Sequence, residues 1–270
     1  MAEFVDDLQA MLDAADAMLS EGESEQAFVL LDRLVVTYPD SPDVALMLGD
    51  AEFDYGNPEA ALEEYDRAVE QDPAWSEAYS ARANCLVELG RLDEAENDVD
   101  QALRIDPRTA QAHYVRAVIK ELKGSEGEAD QGYKTATSLA PKAFRIPVRV
   151  TRRSFDRAVR SAIKLLPQRF KDRMDGVDIY VKDLPEPQDH PDANLSPLIM
   201  GAFDGYSLTE RMETNPWTQV PPRIYLYQKN IERVCASRED LVREIRVTLL
   251  HEVGHFFGLG EEDLERINLK

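Results

Sequence analysis

Glycine, alanine and proline recur along this chain with a fixed period of 34 residues, and no other feature limits the possible folds as strongly. Gly22, Gly56, Gly90 and Gly124 form one column; Ala27, Ala61, Ala95 and Ala129 a second; Pro39, Pro73, Pro107 and Pro141 a third. Three columns stay in step through four units without an insertion, so one supersecondary unit is repeated. Each column has a physical role in a helix pair. The glycine ends the first helix and permits the turn. The alanine marks a close helix crossing, where a larger side chain would force the helices apart. The proline follows the second helix and stops it. Tyr65 and Tyr133 fill a large position that Leu31 and Val99 take in the other units. Ala68, Ala102 and Ala136 recur three residues later.

This pattern resembles the tetratricopeptide repeat over about residues 8–141, in four units starting near 8, 42, 76 and 110. The first unit departs from it, with Leu34 where the others carry alanine, as suits a terminal cap. The resemblance implies an α-helical solenoid of antiparallel helix pairs with a concave groove that holds a peptide or a partner protein. A repeat array carries no chemistry of its own.

Charge divides the chain at the same place. Residues 1–141 hold 10 Lys and Arg against 32 Asp and Glu, a net of −22, whereas residues 142–270 are near balance at +1. Two domains are therefore expected, 1–141 and 142–270. So acidic a first half excludes nucleic acid as its partner. It suits a groove that receives a basic segment, and equally a solvated surface that keeps the array soluble. The joint is basic, with Lys142, Arg145, Arg149, Arg152, Arg153, Arg157 and Arg160. These residues are expected either to dock on the acidic array or to face solvent. Phe155, Val159, Ile163 and Leu166 predict a helix near 152–172. No run of about 18 apolar residues exists, so no membrane span is expected. The acidic N-terminus lacks a signal-peptide pattern. Cys85 and Cys235, one in each half, make no disulfide framework. A cytoplasmic protein is expected.

The second half centres on His251-Glu252-Val253-Gly254-His255. Residues four apart share a helix face, so His251 and His255 can present two imidazoles to one metal ion. Glu252 sits on the neighbouring face, placed to take a proton from a water at the metal. Two nitrogen ligands, a third ligand and a carboxylate base are what a zinc hydrolase requires. Upstream, Val177–Val181, Leu198–Phe203 and Arg223–Tyr227 read as strands. Ser237 to Asp240 reads as a capping box opening the motif helix. Leu241, Ile245, Leu249, Val253 and Phe256 mark its buried side, and Gly258 ends it.

A helix, a few strands and an H-E-x-x-H helix in that order resemble the small zincin-like metallopeptidases of bacteria. The resemblance spans residues 148–270 and rests on SFDRAV, GAFDGYSLTER, PPRIYLYQKNIERVC, EIRVTLLHEVGHFFGL and EEDLERI. It implies an α+β zincin-like domain with a small mixed sheet, His251 and His255 as zinc ligands and Glu252 as the catalytic carboxylate. The third ligand is open. Gly258 lets the chain reverse, which makes Glu261 the first candidate; the family resembled here has Asp in that slot. Glu262 and Asp263 compete, and His190 is a remote candidate.

The expected activity is that of a zinc endopeptidase whose array recruits a protein substrate or regulator. The alternative is a scaffold whose zincin domain is catalytically silent or binds metal structurally. The strand near 223–228 is the candidate edge for an extended substrate, and Tyr206, Tyr225 and Tyr227 are candidate oxyanion donors. His113 is expected to be a packing residue.

Overall fold

The computed structural model describes residues 2–174, 176–186, 189, 195–208, 210, 221–260 and 263. By contact the chain divides into two compact units, Met1–Arg145 and Ile146–Lys270.

The first unit is a run of helix pairs: α1 (Ala2–Ser20) and α2 (Ser24–Thr37), α3 (Pro42–Asp54) and α4 (Pro58–Gln71), α5 (Ser76–Glu88) and α6 (Leu92–Ile105), α7 (Ala110–Leu122) and α8 (Glu126–Leu139). The column glycines adopt the left-handed backbone at the turn within each pair, with φ of +79°, +90°, +71° and +79°. The following amide then donates back to the same helix position in every unit: Glu23 to Met18, Asn57 to Glu52, Arg91 to Leu86, Ser125 to Lys120. This is the Schellman cap, and it explains why only glycine fits there. The four column alanines are fully buried. An ion pair also repeats between units, Asp66 with Arg82 and Asp100 with Arg116. His113 is half-buried and its Nε2–H donates to the carbonyl of Pro107 at 2.9 Å, a structural bond.

The second unit begins with α9 (Arg152–Leu165) and a short α10 (Gln168–Lys171). The single helix expected over 152–172 is broken by Pro167, which forces Leu166 into an extended conformation at ψ 141°. Among the described residues three strands follow, β1 (Asp178–Lys182), β2 (Gly201–Asp204) and β3 (Arg223–Tyr227), then α11 (Gln228–Val234) and the motif helix α12 (Arg238–Phe256). The sheet order is β1-β3-β2, with β1 parallel and β2 antiparallel to β3. The strand expected to offer an edge, β3, is therefore central, and its main-chain groups are engaged on both sides. The physical reason lies in its sequence: Ile224, Tyr225, Leu226 and Tyr227 form a continuous apolar run, as befits a strand covered on both faces.

Ile224 and Leu226 pack on the helices, in one core with Phe155, Val159, Ile245 and Leu249. On the other face Tyr225 stacks between Tyr180 and Tyr227, at centroid distances of 5.6 and 6.4 Å. Not all of the basic joint points outward. Arg149 lies 3.4 Å from the buried Glu232, and Arg152 bonds Gln228 and pairs with Asp183. Glu232 also accepts from the amide of Val150 and from Gln228, which ties the start of this unit to α11. Among the described residues no helix is long and apolar enough to cross a membrane.

Candidate metal centre

Helix α12 is fixed before its histidines are reached. Ser237 Oγ accepts from the amide of Asp240 at 3.0 Å, capping the first turn. Glu239 and Asp240 sit where the helix dipole favours negative charge. Leu241, Ile245, Leu249, Val253 and Phe256 are all buried, so the apolar stripe locks the helix rotation. His251 and His255 then fall one turn apart on a face that borders a cavity of about 530 Å³.

Their two Nε2 atoms lie 2.9 Å apart, with the rings nearly perpendicular at 80°. His255 Nδ1 is 3.2 Å from the carbonyl oxygen of Leu259. A carbonyl only accepts, so Nδ1 carries the proton and Nε2, which faces His251 Nε2, keeps its lone pair. That is the tautomer a metal ligand needs, held from behind as ligating histidines usually are. A zinc ion about 2.0–2.1 Å from each nitrogen sets tetrahedral ligand atoms roughly 3.3 Å apart. The rings need open by only a few tenths of an ångström, so this pair fits zinc.

Glu252 lines the same cavity but is only 5% exposed. Among the described residues no group of three His, Cys, Asp or Glu is assembled for a metal. Asp263, described and exposed, therefore belongs to no such group. Glu261, Glu262 and His190 lie outside the described residues.

Sequence reasoning passed over Gly201. A Cβ at this position would stand 2.8 Å from Glu252 Oε1, 2.8 Å from Thr248 Cγ2 and 2.9 Å from Glu252 Cγ. Glycine is what lets β2 approach the motif helix closely enough to wall in the carboxylate. A lone glycine inside a strand pattern was the signal available. Among the described residues β2 ends the three-strand order beside β3, and Gly201, Ala202 and Phe203 line the cavity.

Asn230 also carried no sequence signal. It is fully buried, and its Nδ2 donates to the carbonyls of Pro197 and Ile199 at 2.9 and 2.5 Å, while Arg233 donates to its Oδ1. These bonds hold the segment that puts Leu195 and Ile199 into the cavity wall. Tyr225 and Tyr227, candidate oxyanion donors, are buried in the sheet face and do not line the cavity, and neither does Tyr206. Tyr227 instead donates to the buried Asp189 at 3.4 Å, and burial together with that carboxylate pushes its hydroxyl above the usual range.

Fold and site together define a helical repeat solenoid followed by a small α+β unit in which two histidines and a glutamate line one cavity. Family comparison finds both parts. The tetratricopeptide repeat model matches residues 12–75, 46–108 and 80–143, and the zincin-like metallopeptidase model matches residues 174–270. Solved structures similar to the repeat half include a thermophilic tetratricopeptide repeat protein of Thermus thermophilus, 24% identical, covering 49% of this chain and 74% of that one at a TM-score of 0.46. YrrB, a repeat protein with an unusual peptide-binding site, is 25% identical over 50% of this chain and 69% of its own at 0.42. MamA is 21% identical over 47% and 74% at 0.41. No curated protein matches the chain.

Proposed function

We propose that the protein is a zinc-dependent endopeptidase, with a catalytic domain over 142–270 and a repeat domain over 1–141 that recruits a protein substrate or regulator. His251 and His255 are the metal ligands, Glu261 the third, and Glu252 the general base. The observation that carries this reading is the enclosed Glu252 beside two histidines whose Nε2 atoms converge at 2.9 Å. A purely structural zinc site has no use for that carboxylate.

When bound, zinc supplies Lewis acidity, polarising a scissile carbonyl and acidifying a water. The rest falls to the chain. Leu259 holds the tautomer of His255. The edge of β2 away from β3 pairs with an extended substrate through main-chain hydrogen bonds. Glu252 takes the water proton and passes it to the leaving amine. Its burial keeps bulk water from competing for that proton. Cys85 and Cys235 are both free and buried, which suits the proposed cytoplasmic setting.

The test is cleavage of an unstructured protein and zinc content, in wild type and Glu252→Gln. Zinc in both with cleavage by wild type alone supports the reading. Zinc in both with cleavage by neither favours the silent scaffold. Loss of zinc in Glu261→Ala but not in Glu262→Ala would assign the third ligand.

A further inference from the structure

The sheet has a second edge, away from the histidines. Among the described residues β1 ends the strand order opposite β2 and pairs only with β3. The Asp178 amide donates to the carbonyl of Pro222, so the main chain of Asp178 faces β3. Main-chain direction alternates along a strand, which turns the N–H and C=O of Ile179 and Val181 outward. The Val181 carbonyl accepts from Arg152 Nη1 of α9. Among the described residues the Ile179 N–H, the Ile179 carbonyl and the Val181 N–H have no partner.

Two hollows, of about 720 and 350 Å³, follow one another along this edge. The first is lined by Leu166, Met174, Val177 and Ile179, the second by Arg152, Val159, Ile179 and Val181, and Ile163 belongs to both. No β3 residue is among their described linings. The end of α9 therefore stands by the start of β1, and the start of α9 by the end of β1. Helix and strand run antiparallel with a groove between them. From one hollow to the next the lining steps two residues along β1, roughly 6.7 Å, which is the spacing of same-face side chains in an added strand. The rim on the helix is basic. Arg153, Arg157, Arg160 and Lys164 recur three or four residues apart, so they form one row, about 16 Å long. Arg160 also lines the second hollow. All four are exposed, and among the described residues none makes an ion pair.

We infer that β1 and α9 form a docking groove for an extended, acid-flanked segment of a partner protein, which adds itself as a strand beside β1. The inference does not depend on the peptidase reading. Main-chain bonds to Ile179 and Val181 hold the segment, and two alternating apolar side chains fill the hollows. The charge of the rim chooses the occupant: carboxylates on either side of the apolar pair meet the unpaired row on α9. A second copy joined edge to edge by a two-fold would instead set one basic row against another.

The experiment titrates a fluorescein-labelled peptide, EEVTVEE, into the full-length chain and reads polarisation. The chain carries a net charge of −21, so an acidic peptide has no general attraction to it. Replacing both valines by serine should weaken binding about tenfold or more, and N-methylation of the three central peptide amides should weaken it at least as much. Reversing two exposed charges, Arg157→Glu with Arg160→Glu, should weaken it about fivefold without loss of folding. Residue-resolved hydrogen exchange then locates the contact: the peptide should slow the Ile179 and Val181 amides and leave that of Tyr180, already turned to β3, unchanged. No binding, equal binding of the three peptides, indifference to the charge reversal, or protection elsewhere than Ile179 and Val181 would each overturn the inference. So would a dimer in sedimentation equilibrium with these two amides protected before peptide is added, because a second copy would then be the occupant.

Discussion

Replacing Gly201 by alanine adds one methyl group at the point where β2 meets the motif helix. Its backbone is not in the left-handed region, so the default expectation is a gain of roughly 0.5–1 kcal/mol from removing a strand glycine. The structure reverses that sign. The added carbon would lie 2.8 Å from both Glu252 Oε1 and Thr248 Cγ2, and 2.9 Å from Glu252 Cγ. Glu252 can swing its carboxyl away, whereas the branched side chain of Thr248 is buried on α12 and has little room to turn. Either the carboxyl is displaced or β2 moves off α12. Overpacking of this kind costs about 1–3 kcal/mol, which lowers the melting temperature by several degrees. A shift of about 1 Å in the proposed base, Glu252, costs on the order of a hundredfold in rate. The two histidine rings are not touched, so zinc should be retained. The assay is calorimetry, zinc content and kcat on one preparation, with Thr248→Ser as the second arm of a double-mutant cycle. Removing Cγ2 should recover part of the stability lost in Gly201→Ala, a coupling of about 0.5 kcal/mol or more. A Gly201→Ala protein as stable and as active as wild type would refute the close-approach argument.

Three further outcomes are expected. Asn230→Ala removes two donors to buried carbonyls and should destabilise the second unit by about 2–3 kcal/mol; where it still folds, KM should rise more than kcat falls, because the wall at Leu195 and Ile199 loosens, and a pure kcat loss would contradict that role. Glu96 is held at about 2 by hydrogen bonds from Lys123 and then Lys120; a depressed carboxylate stabilises above its unfolded value near 4.5 and loses that stability as pH falls from 4.5 towards 2, so Glu96→Gln should flatten the acid limb of array unfolding by about 1 kcal/mol once solvent screening is allowed for. Ala95→Leu should destabilise the array by about 1–3 kcal/mol or more through overpacking at a fully buried helix crossing, measured by urea unfolding, and an unchanged midpoint would show that the alanine column is not a packing constraint.

What could be read from the sequence was whatever repeats or carries a period. The array is the clearest instance, because Gly56 and Ala61 recur in step and each is demanded by one local interaction, a left-handed turn or a close crossing. Helix α12 was legible for a similar reason: Ser237, Leu241, Ile245 and Leu249 state its start and its buried side. The histidine pair followed from helical geometry alone. Helix α11 was not legible. Gln228, Asn230, Glu232 and Arg233 look like a solvated stretch, yet all four are buried and satisfy one another or the 148–150 and 197–199 main chain. Those partners are tens of residues away, so no local pattern announces them. Sheet order was hidden likewise. An apolar run at 223–227 fits a central strand as well as an edge, and only the partners β1 and β2 decide between them. Gly201 stood in plain view, but its meaning depends on Thr248 and Glu252 arriving from another element.

Anomalous diffraction at the zinc edge, on crystals of the zinc-loaded full-length protein, addresses the central claim most directly. The account predicts a single strong peak about 2.0–2.1 Å from the Nε2 atoms of both His251 and His255, with Glu252 beside it and not coordinating, and Glu261 completing the site. A peak bound by Glu252, a peak elsewhere on the chain, or none at all would contradict it.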